Sequence, residues 1–263
     1  MKNISNFLNS TDSMPLRFLL TDIDDTMTTD GQLTSDAYAA LFKLELAGIK
    51  IIPVTGRPAG WCEMIARFWP VAGVVGENGG FYFHYTDKKM HRWFSQDEKT
   101  RCENQKKLDL IKQDILIQIP GAQISSDQFC RITDLAIDFN EDISKLPDSD
   151  IQKIVQVFQN HKATAKVSSI HVNGWFGQHT KLSTSLQLLN DLYSIDKIQA
   201  QQVCAYAGDS PNDEPMFEFF PISFGVSNIT DFKSIMKHLP KFISNYKNGK
   251  GFCEIADVIC QPN

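Results

Sequence analysis

The stretch FLLTDIDDTMTTDG, Phe18 to Gly31, sets three carboxylates, Asp22, Asp24 and Asp25, directly behind an apolar run. Leu16 to Asp22 is short, apolar and followed by polar turn residues, the pattern of a strand buried on both faces. That much like charge at a buried strand end is costly without partners. The rest of the chain must supply them.

Working outward, Thr34 caps a helix whose apolar residues, Tyr38, Leu41 and Phe42, recur at helical spacing before Gly48 stops the run. Ile49 to Val54 reads as a second buried strand running into Thr55-Gly56-Arg57, and Trp61 to Phe68 as a second helix. VAGVVGENGG, Val71 to Gly80, gives a third strand and a glycine-rich turn. Alternating strands and helices predict a parallel sheet with helices on its faces.

After Phe83 the pattern changes. A lysine-rich helix is expected over 97–118, a strand over Asp134 to Phe139, a helix over Asp150 to His161, and one alternating strand over Lys166 to Phe176. The parallel pattern returns with a helix from Lys181 and with VCAYAGDSPND, Val203 to Asp213, a strand followed by an acidic loop. The tail adds a strand at Ile222 to Val226, helical material around Asp231 to His238 and a last helix from Gly251 to Ile259. The expected fold class is α/β: a Rossmann-like doubly wound parallel sheet built from residues 1–83 and 179–263, with an inserted α+β unit at 84–178.

Composition sets limits. The 263 residues are 42% hydrophobic and 22% charged with a net charge of -5, so a globular chain without a basic nucleic-acid-binding face is expected. Six cysteines lack any C-x-x-C pair or zinc-site histidines, which predicts reduced thiols and a cytoplasmic protein. The N-terminus lacks the apolar core of a signal peptide, and no run approaches the roughly 18 apolar residues of a membrane span.

Three strand ends carry polar residues: Asp22 with Asp24, Thr55-Gly56-Arg57, and Gly208-Asp209 with Asn212-Asp213. In an open parallel sheet ligands bind at the carboxyl ends of the strands, so these segments are expected to converge. Asp22, Asp24 and Asp209 form a candidate oxygen-ligand set that suits Mg²⁺ better than Ca²⁺. Thr55, Gly56, Arg57 and Lys181 supply a hydroxyl, an open backbone and positive charge for phosphate. A carboxylate nucleophile, a dication and a lysine together serve phosphoryl transfer.

D-I-D-D-T at 22–26, T-G-R at 55–57, Lys181 and G-D-S-P-N-D at 208–213 resemble, in kind and order, the motifs of the haloacid dehalogenase-like superfamily of phosphohydrolases. The long gap between Thr55 and Lys181 and the sequence NGG at 78–80 resemble its type 2 cap branch, with the Cof-like, sucrose-phosphate and trehalose-phosphate phosphatases and phosphomannomutase. The resemblance implies Asp22 as nucleophile, Asp24 as acid and base, Thr55 and Gly56 on phosphate oxygens, and Lys181 neutralising charge. Mg²⁺ would sit on Asp22, Asp209 and the Asp24 carbonyl. Asn212 would touch phosphate, Asp213 would orient the lysine or a metal-bound water, and Asp25 has no role.

Leu182 and Ser183 follow Lys181 where that branch usually places glycine, a departure in the local turn. Asn78 reads as a turn residue or a substrate contact. His171, Asn173 and Trp175, alternating along one strand, read as packing residues or as a face turned to a sugar-sized ligand. His84 and His91 read as surface residues. The expected function is a Mg²⁺-dependent phosphatase acting on a small phosphorylated metabolite, a sugar phosphate above all. The alternatives are a phosphomutase and a non-catalytic binding module on the same fold.

Overall fold

The computed structural model describes residues 1–8 and 16–261. Its centre is a six-stranded sheet in the order Lys2–Asn3, Phe242–Ile243, Ile222–Gly225, Cys204–Gly208, Phe18–Thr21, Lys50–Pro53, parallel throughout. The chain leaves Phe18–Thr21 toward Lys50–Pro53 on one side and returns to Cys204–Gly208 on the other. The point where strand order reverses therefore lies between the ends carrying Asp22 and Asp209.

Alternation explains why Phe18–Thr21 is buried along its whole length. Leu19, Ile51 and Ala205 join one apolar cluster with the helices Ser35–Leu46, Ala59–Phe68 and Asn248–Ile259. Phe18, Leu20, Ile52 and Tyr206 join a second cluster with Lys181–Tyr193 on the opposite face. Both faces are covered, as a parallel sheet requires.

A three-stranded antiparallel sheet, Val74–Gly76, Phe81–Thr86 and Lys89–Phe94, extends this unit. Its last two strands turn through Asp87 and Lys88, both at positive φ, as a two-residue hairpin demands. Phe81 and Phe83 pack in the first cluster and Tyr82 and Trp93 in or against the second. Residue 84 thus lies inside a strand of the parallel-sheet unit. His84 and His91 face each other across the hairpin, ring centroids 4.7 Å apart.

A separate apolar cluster begins beyond Phe94. Four antiparallel strands, in the order Thr164–Val167, His171–Trp175, Asp134–Asp138, Gln123–Ile124, carry the helices Glu98–Gln118 and Asp148–Asn160 on one face. Val172, Ala165, Leu135 and Ile137 point to those helices. By the two-residue period, His171, Asn173, Trp175 and Lys166 point the other way, toward the parallel sheet.

Three sequence expectations are corrected here. The strand expected within Val71–Gly80 belongs to the antiparallel sheet, because the turn at Glu77-Asn78-Gly79 folds it back onto Phe81–Thr86, and it meets the parallel sheet through the bridge from Val54 to Val75. The stretch 166–176 is two strands rather than one, because Ser168 Oγ accepts from the amides of Ile170 and His171 and folds the chain into a hairpin. The region around 231–238 holds a 3₁₀ segment, Ser227–Phe232, and no α-helix, with Pro240 close behind limiting any longer helix. All six cysteines are free. Among the described residues no helix is long and apolar enough to cross a membrane.

Candidate active site

The strand Phe18–Thr21 ends in a tight turn, and its register with Cys204–Gly208 continues through the bond from the Asp22 amide to the Ala207 carbonyl, 2.9 Å. That bond fixes Asp22, 5% exposed, beside the loop that carries Asp209 and Asp213. Lys181 Nζ donates to Asp22 Oδ1 at 2.7 Å and to Asp213 Oδ1 at 2.8 Å. Asp213 also accepts from Tyr206 OH at 2.6 Å and from the Asp209 amide at 3.1 Å, so it holds the lysine and its own loop together.

Lys181 opens the helix Lys181–Tyr193, capped by Thr180, whose hydroxyl accepts from the Ser183 amide at 3.0 Å. The missing glycine after the lysine is made good elsewhere. Gly79, at φ +105°, lies so close to this turn that a Cβ would come within 2.2 Å of the Thr180 carbonyl, and Thr184 Oγ1 donates to its carbonyl at 2.6 Å. The Glu77-Asn78-Gly79 loop thus supplies the close approach, with Glu77 and Asn78 themselves at positive φ.

Asp209 is buried, accepting from Thr26 Oγ1 at 3.0 Å and Asn228 Nδ2 at 3.3 Å. Carboxylate oxygens of Asp22, Asp209 and Asp213 lie within 4.8 Å of one another. One ammonium against three buried carboxylates leaves excess negative charge. Burial raises the Asp22 carboxyl first, Lys181 pulls the other way, and Asp213 and Asp24 push it up again, leaving it at about 8. Burial, then Asp22 and Asp213, hold Asp209 well above the ordinary carboxylate range. Burial opposes the Lys181 charge, yet Asp213 and Asp22 keep its pKa above the ordinary lysine value. A dication is the partner this set lacks, and an all-oxygen set of three carboxylates is the chemistry Mg²⁺ takes. The residues fit the ion.

Asp24 points away from this cluster. Arg57 Nε and Nη2 donate to its carboxylate at 2.7 to 3.0 Å, and Arg57 Nη1 lies 2.7 Å from Glu141 Oε1 in the four-stranded unit. Glu141 in turn sits 2.8 Å from His171 Nε2. Burial would raise the Glu141 carboxyl, but His171 and Arg57 bring it down to about 2. Arg57, expected on phosphate, here bridges Asp24 to the opposing unit.

Thr55 is buried with its hydroxyl accepting from the Arg57 amide at 3.0 Å. A Cβ on Gly56 would lie 3.3 Å from Asn78 Nδ2 and 3.7 Å from Asn173 Oδ1, so both amides hang over this glycine. Asn78 Nδ2 is buried without a hydrogen-bond partner. Asn212 accepts from Ser210 Oγ at 2.7 Å and lines the cleft. The cleft over Asp22, Asp24 and Gly56 is roofed by Ser169, His171 and Asn173 and encloses about 20 Å³. Of the residues expected from sequence, Asp22, Asp24, Gly56, Arg57 and Asn212 line this cleft, and Lys181, Asp209 and Asp213 gather at Asp22. Asn78 lies against Gly56 and Thr55 holds the Arg57 amide, while the Arg57 side chain engages carboxylates. Asp25, at φ +56°, is a turn residue whose carbonyl accepts from Asn228.

Sequence reasoning missed Glu77, Glu141 and Arg131. The buried Glu77 carboxylate accepts from the amides of Ala59 at 2.9 Å and Ile132 at 3.0 Å and from Thr133 Oγ1 at 2.6 Å, pinning the two units together. Arg131 donates to the Gly56 carbonyl at 2.9 Å and pairs with Asp127 and Asp134. The only prior signal was Glu77 beside the glycine-rich turn.

The architecture is similar to that of the C. albicans trehalose-6-phosphate phosphatase C-terminal domain, at TM-score 0.72 and 16% identity over 98% of this chain and 96% of that one. It is also similar to a haloacid dehalogenase-like hydrolase from Bacteroides thetaiotaomicron, at 0.64 and 12%, covering 93% of this chain and 99% of that one. The chain has the haloacid dehalogenase-like fold. The sucrose-phosphatase from Synechocystis sp. PCC6803, determined with sucrose and phosphate, shares this fold at TM-score 0.63 and 14% identity, covering 94% and 98% of the two chains. No family model matches the sequence, and no curated protein matches it. At these identities the haloacid dehalogenase-like likeness carries the fold, and the chemistry rests on the cleft.

Proposed function

We propose that the protein is a Mg²⁺-dependent phosphomonoester hydrolase acting on a small phosphorylated alcohol, the sugar phosphates among them, through an aspartyl-phosphate on Asp22. One observation carries the reading: a buried carboxylate, Asp22, sits on a buried lysine within 4.8 Å of two further carboxylates at the reversal point of a parallel sheet. The phosphatases of the same fold named above support it.

Asp22, Asp209 and Asp213 would hold or orient Mg²⁺ with the Asp24 carbonyl, and the ion would supply positive charge to the transferring phosphoryl group. Lys181 occupies Asp22 Oδ1, leaving Oδ2 to attack phosphorus as the bond to the leaving oxygen breaks. The Lys181 charge and the Thr55 and Gly56 groups stabilise the phosphoryl oxygens. Asp24 gives its proton to the leaving alkoxide, then takes one from the water that attacks phosphorus, which frees phosphate and restores Asp22.

Asp24 cannot transfer a proton while Arg57 engages both of its oxygens. Because Arg57 also holds Glu141, its release accompanies movement of the four-stranded unit, which we assign as the cap. The chain crosses between units at Ser95 to Asp97 and Phe176 to Thr180, where Gln96 Nε2 donates to the Phe176 carbonyl at 3.0 Å. These crossings support a cap at residues 95–178 rather than 84–178. Opening would release Arg57 and admit substrate; closure over a bound phosphate would then turn Arg57 to the phosphoryl oxygens, leaving Asp24 free to protonate the leaving alkoxide with bulk water excluded. Hydrolysis of p-nitrophenyl phosphate that requires Mg²⁺ and disappears in Asp22→Asn is the expected test result; full activity in that variant refutes the assignment.

A further inference from the structure

The helices Ser35–Leu46 and Ala59–Phe68 pack on one face of the parallel sheet, yet their outer sides stay apolar. At helical spacing Trp61, Met64 and Phe68 form one stripe, and Tyr38, Phe42 and Leu46 form another. Phe68 is 69% exposed, Leu46 87%, and Phe42, Trp61 and Met64 41–43%. Tyr38 joins the stripes: its ring packs edge-on against Phe42 at 5.3 Å and Trp69 at 6.3 Å, and its hydroxyl donates to the Phe68 carbonyl at 3.0 Å. At the other end Gly60 makes room for the four-stranded unit, since a Cβ there would lie 2.8 Å from Cys130 Cβ. Phe129, the residue before that cysteine, is 89% exposed.

Size shows that this face is more than scattered surface. At about 200 Å² for each large apolar residue, the exposed fractions of Phe42, Leu46, Trp61, Met64, Phe68 and Phe129 come to roughly 700 Å². The largest apolar patch of a monomer is about 300–600 Å², and a stable interface buries about 800 Å² on each partner. The face exceeds the first figure and approaches the second.

Charge at the rim selects the occupant. Glu63 and Arg67, on the other flank of the second helix, pair at 3.3 Å, and Glu63 also holds Arg92 at 2.6 Å. Beside Phe42, Lys43 pairs with Asp257 at 2.7 Å. Charges of both signs, already matched in place, give no field to draw a strongly acidic or basic partner. They suit a second copy of the same face, which a two-fold axis sets against itself with each ion pair kept. We infer that this helix face is the interface of a homodimer, anchored by Phe68 and Leu46. Phe129 lies in the four-stranded unit and the other five residues in the parallel-sheet unit, so association also favours the closed arrangement of the two.

Sedimentation velocity on the full chain over about 1–100 μM tests this. Wild type should pass from monomer to dimer in that range and stop at two chains, as a closed two-fold requires. Phe68→Lys and Leu46→Lys each place an unpaired charge in the interface and should raise the dissociation constant about tenfold or more. Both are exposed last residues of helices, where lysine is well tolerated, so the unfolding temperature of the monomer should hold. Phe129→Lys should weaken the dimer as well. Ile198→Lys, at a residue also 69% exposed but on a helix packed against the opposite face of the sheet, should leave it unchanged. A wild type that stays monomeric, or that grows past two chains, overturns the interface. So does a dimer that Phe68→Lys and Leu46→Lys leave intact, or that Ile198→Lys disrupts equally. A dimer indifferent to Phe129→Lys overturns the coupling to closure.

Discussion

Replacing Asp209 by asparagine should stabilise the metal-free protein and abolish its response to Mg²⁺. Asp209 has carboxylate neighbours in Asp22 and Asp213 within 4.8 Å, and Lys181 bonds to those two neighbours rather than to it. At an effective dielectric near 20, like charges at that separation repel by about 3 kcal/mol per pair. Partial relief from the Lys181 field and from protonation brings the net penalty to about 2–3 kcal/mol at neutral pH. Asparagine removes the charge but keeps one acceptor for the two donors, Thr26 and Asn228, at a cost of about 1 kcal/mol. The balance favours the variant by about 1–2 kcal/mol, or roughly 3–6 °C in Tm for a chain of this size.

Thermal unfolding in chelator and in excess Mg²⁺ reads both halves of the argument. Wild type should gain about 2.7 kcal/mol at a hundredfold excess of ion over its dissociation constant, and Asp209→Asn almost nothing. A metal-free variant melting at or below wild type, or equal gains with Mg²⁺, would refute the reasoning.

The same charges set a pH dependence. With the Asp22 carboxyl at about 8 and Asp209 raised as well, the metal-free folded protein binds more protons than the unfolded chain between about pH 4 and pH 8. Stability in chelator should therefore fall as pH rises through that window and flatten in Mg²⁺; urea midpoints that rise with pH in chelator would contradict this. Glu141→Gln, which weakens the links to Arg57 and His171, should open the cap, seen as a larger radius of gyration by scattering and a severalfold higher KM for p-nitrophenyl phosphate. An unchanged scattering curve would remove the latch from the account.

The three central strands of the parallel sheet were legible because they announce themselves twice, as apolar runs and as runs ending in Asp22, Thr55 and Asp209, whereas the two-residue strands Lys2–Asn3 and Phe242–Ile243 are too short to carry a pattern. Lys181 and Asp213 were legible as charges, and the structure adds that one ammonium serves both Asp22 and Asp213. Arg57 shows where local reading stops. A positive charge after Thr55-Gly56 serves phosphate or a carboxylate equally well, and only the fold brings Asp24 and Glu141 to it.

The cap was harder to read for the same reason. His171, Asn173 and Trp175 lie on one face by period alone, but whether that face meets solvent, core or site depends on which unit lies opposite. Their burial, at 2–3% exposed, excludes solvent, and the parallel-sheet unit opposite makes His171 and Asn173 part of the cleft's roof. Glu77 gave no sign of its role because its partners, Ile132 and Thr133, lie in the other unit.

Chemical trapping of the nucleophile tests the central claim most directly. In Asp24→Asn an aryl phosphate, whose leaving group needs no proton, should still phosphorylate Asp22 while hydrolysis of the acyl-phosphate stalls. Acid quenching, borohydride reduction and peptide mass spectrometry should then find homoserine at position 22 in Mg²⁺ and unmodified aspartate in chelator. An unmodified Asp22 in protein that is turning over, or modification at another carboxylate, would contradict the account.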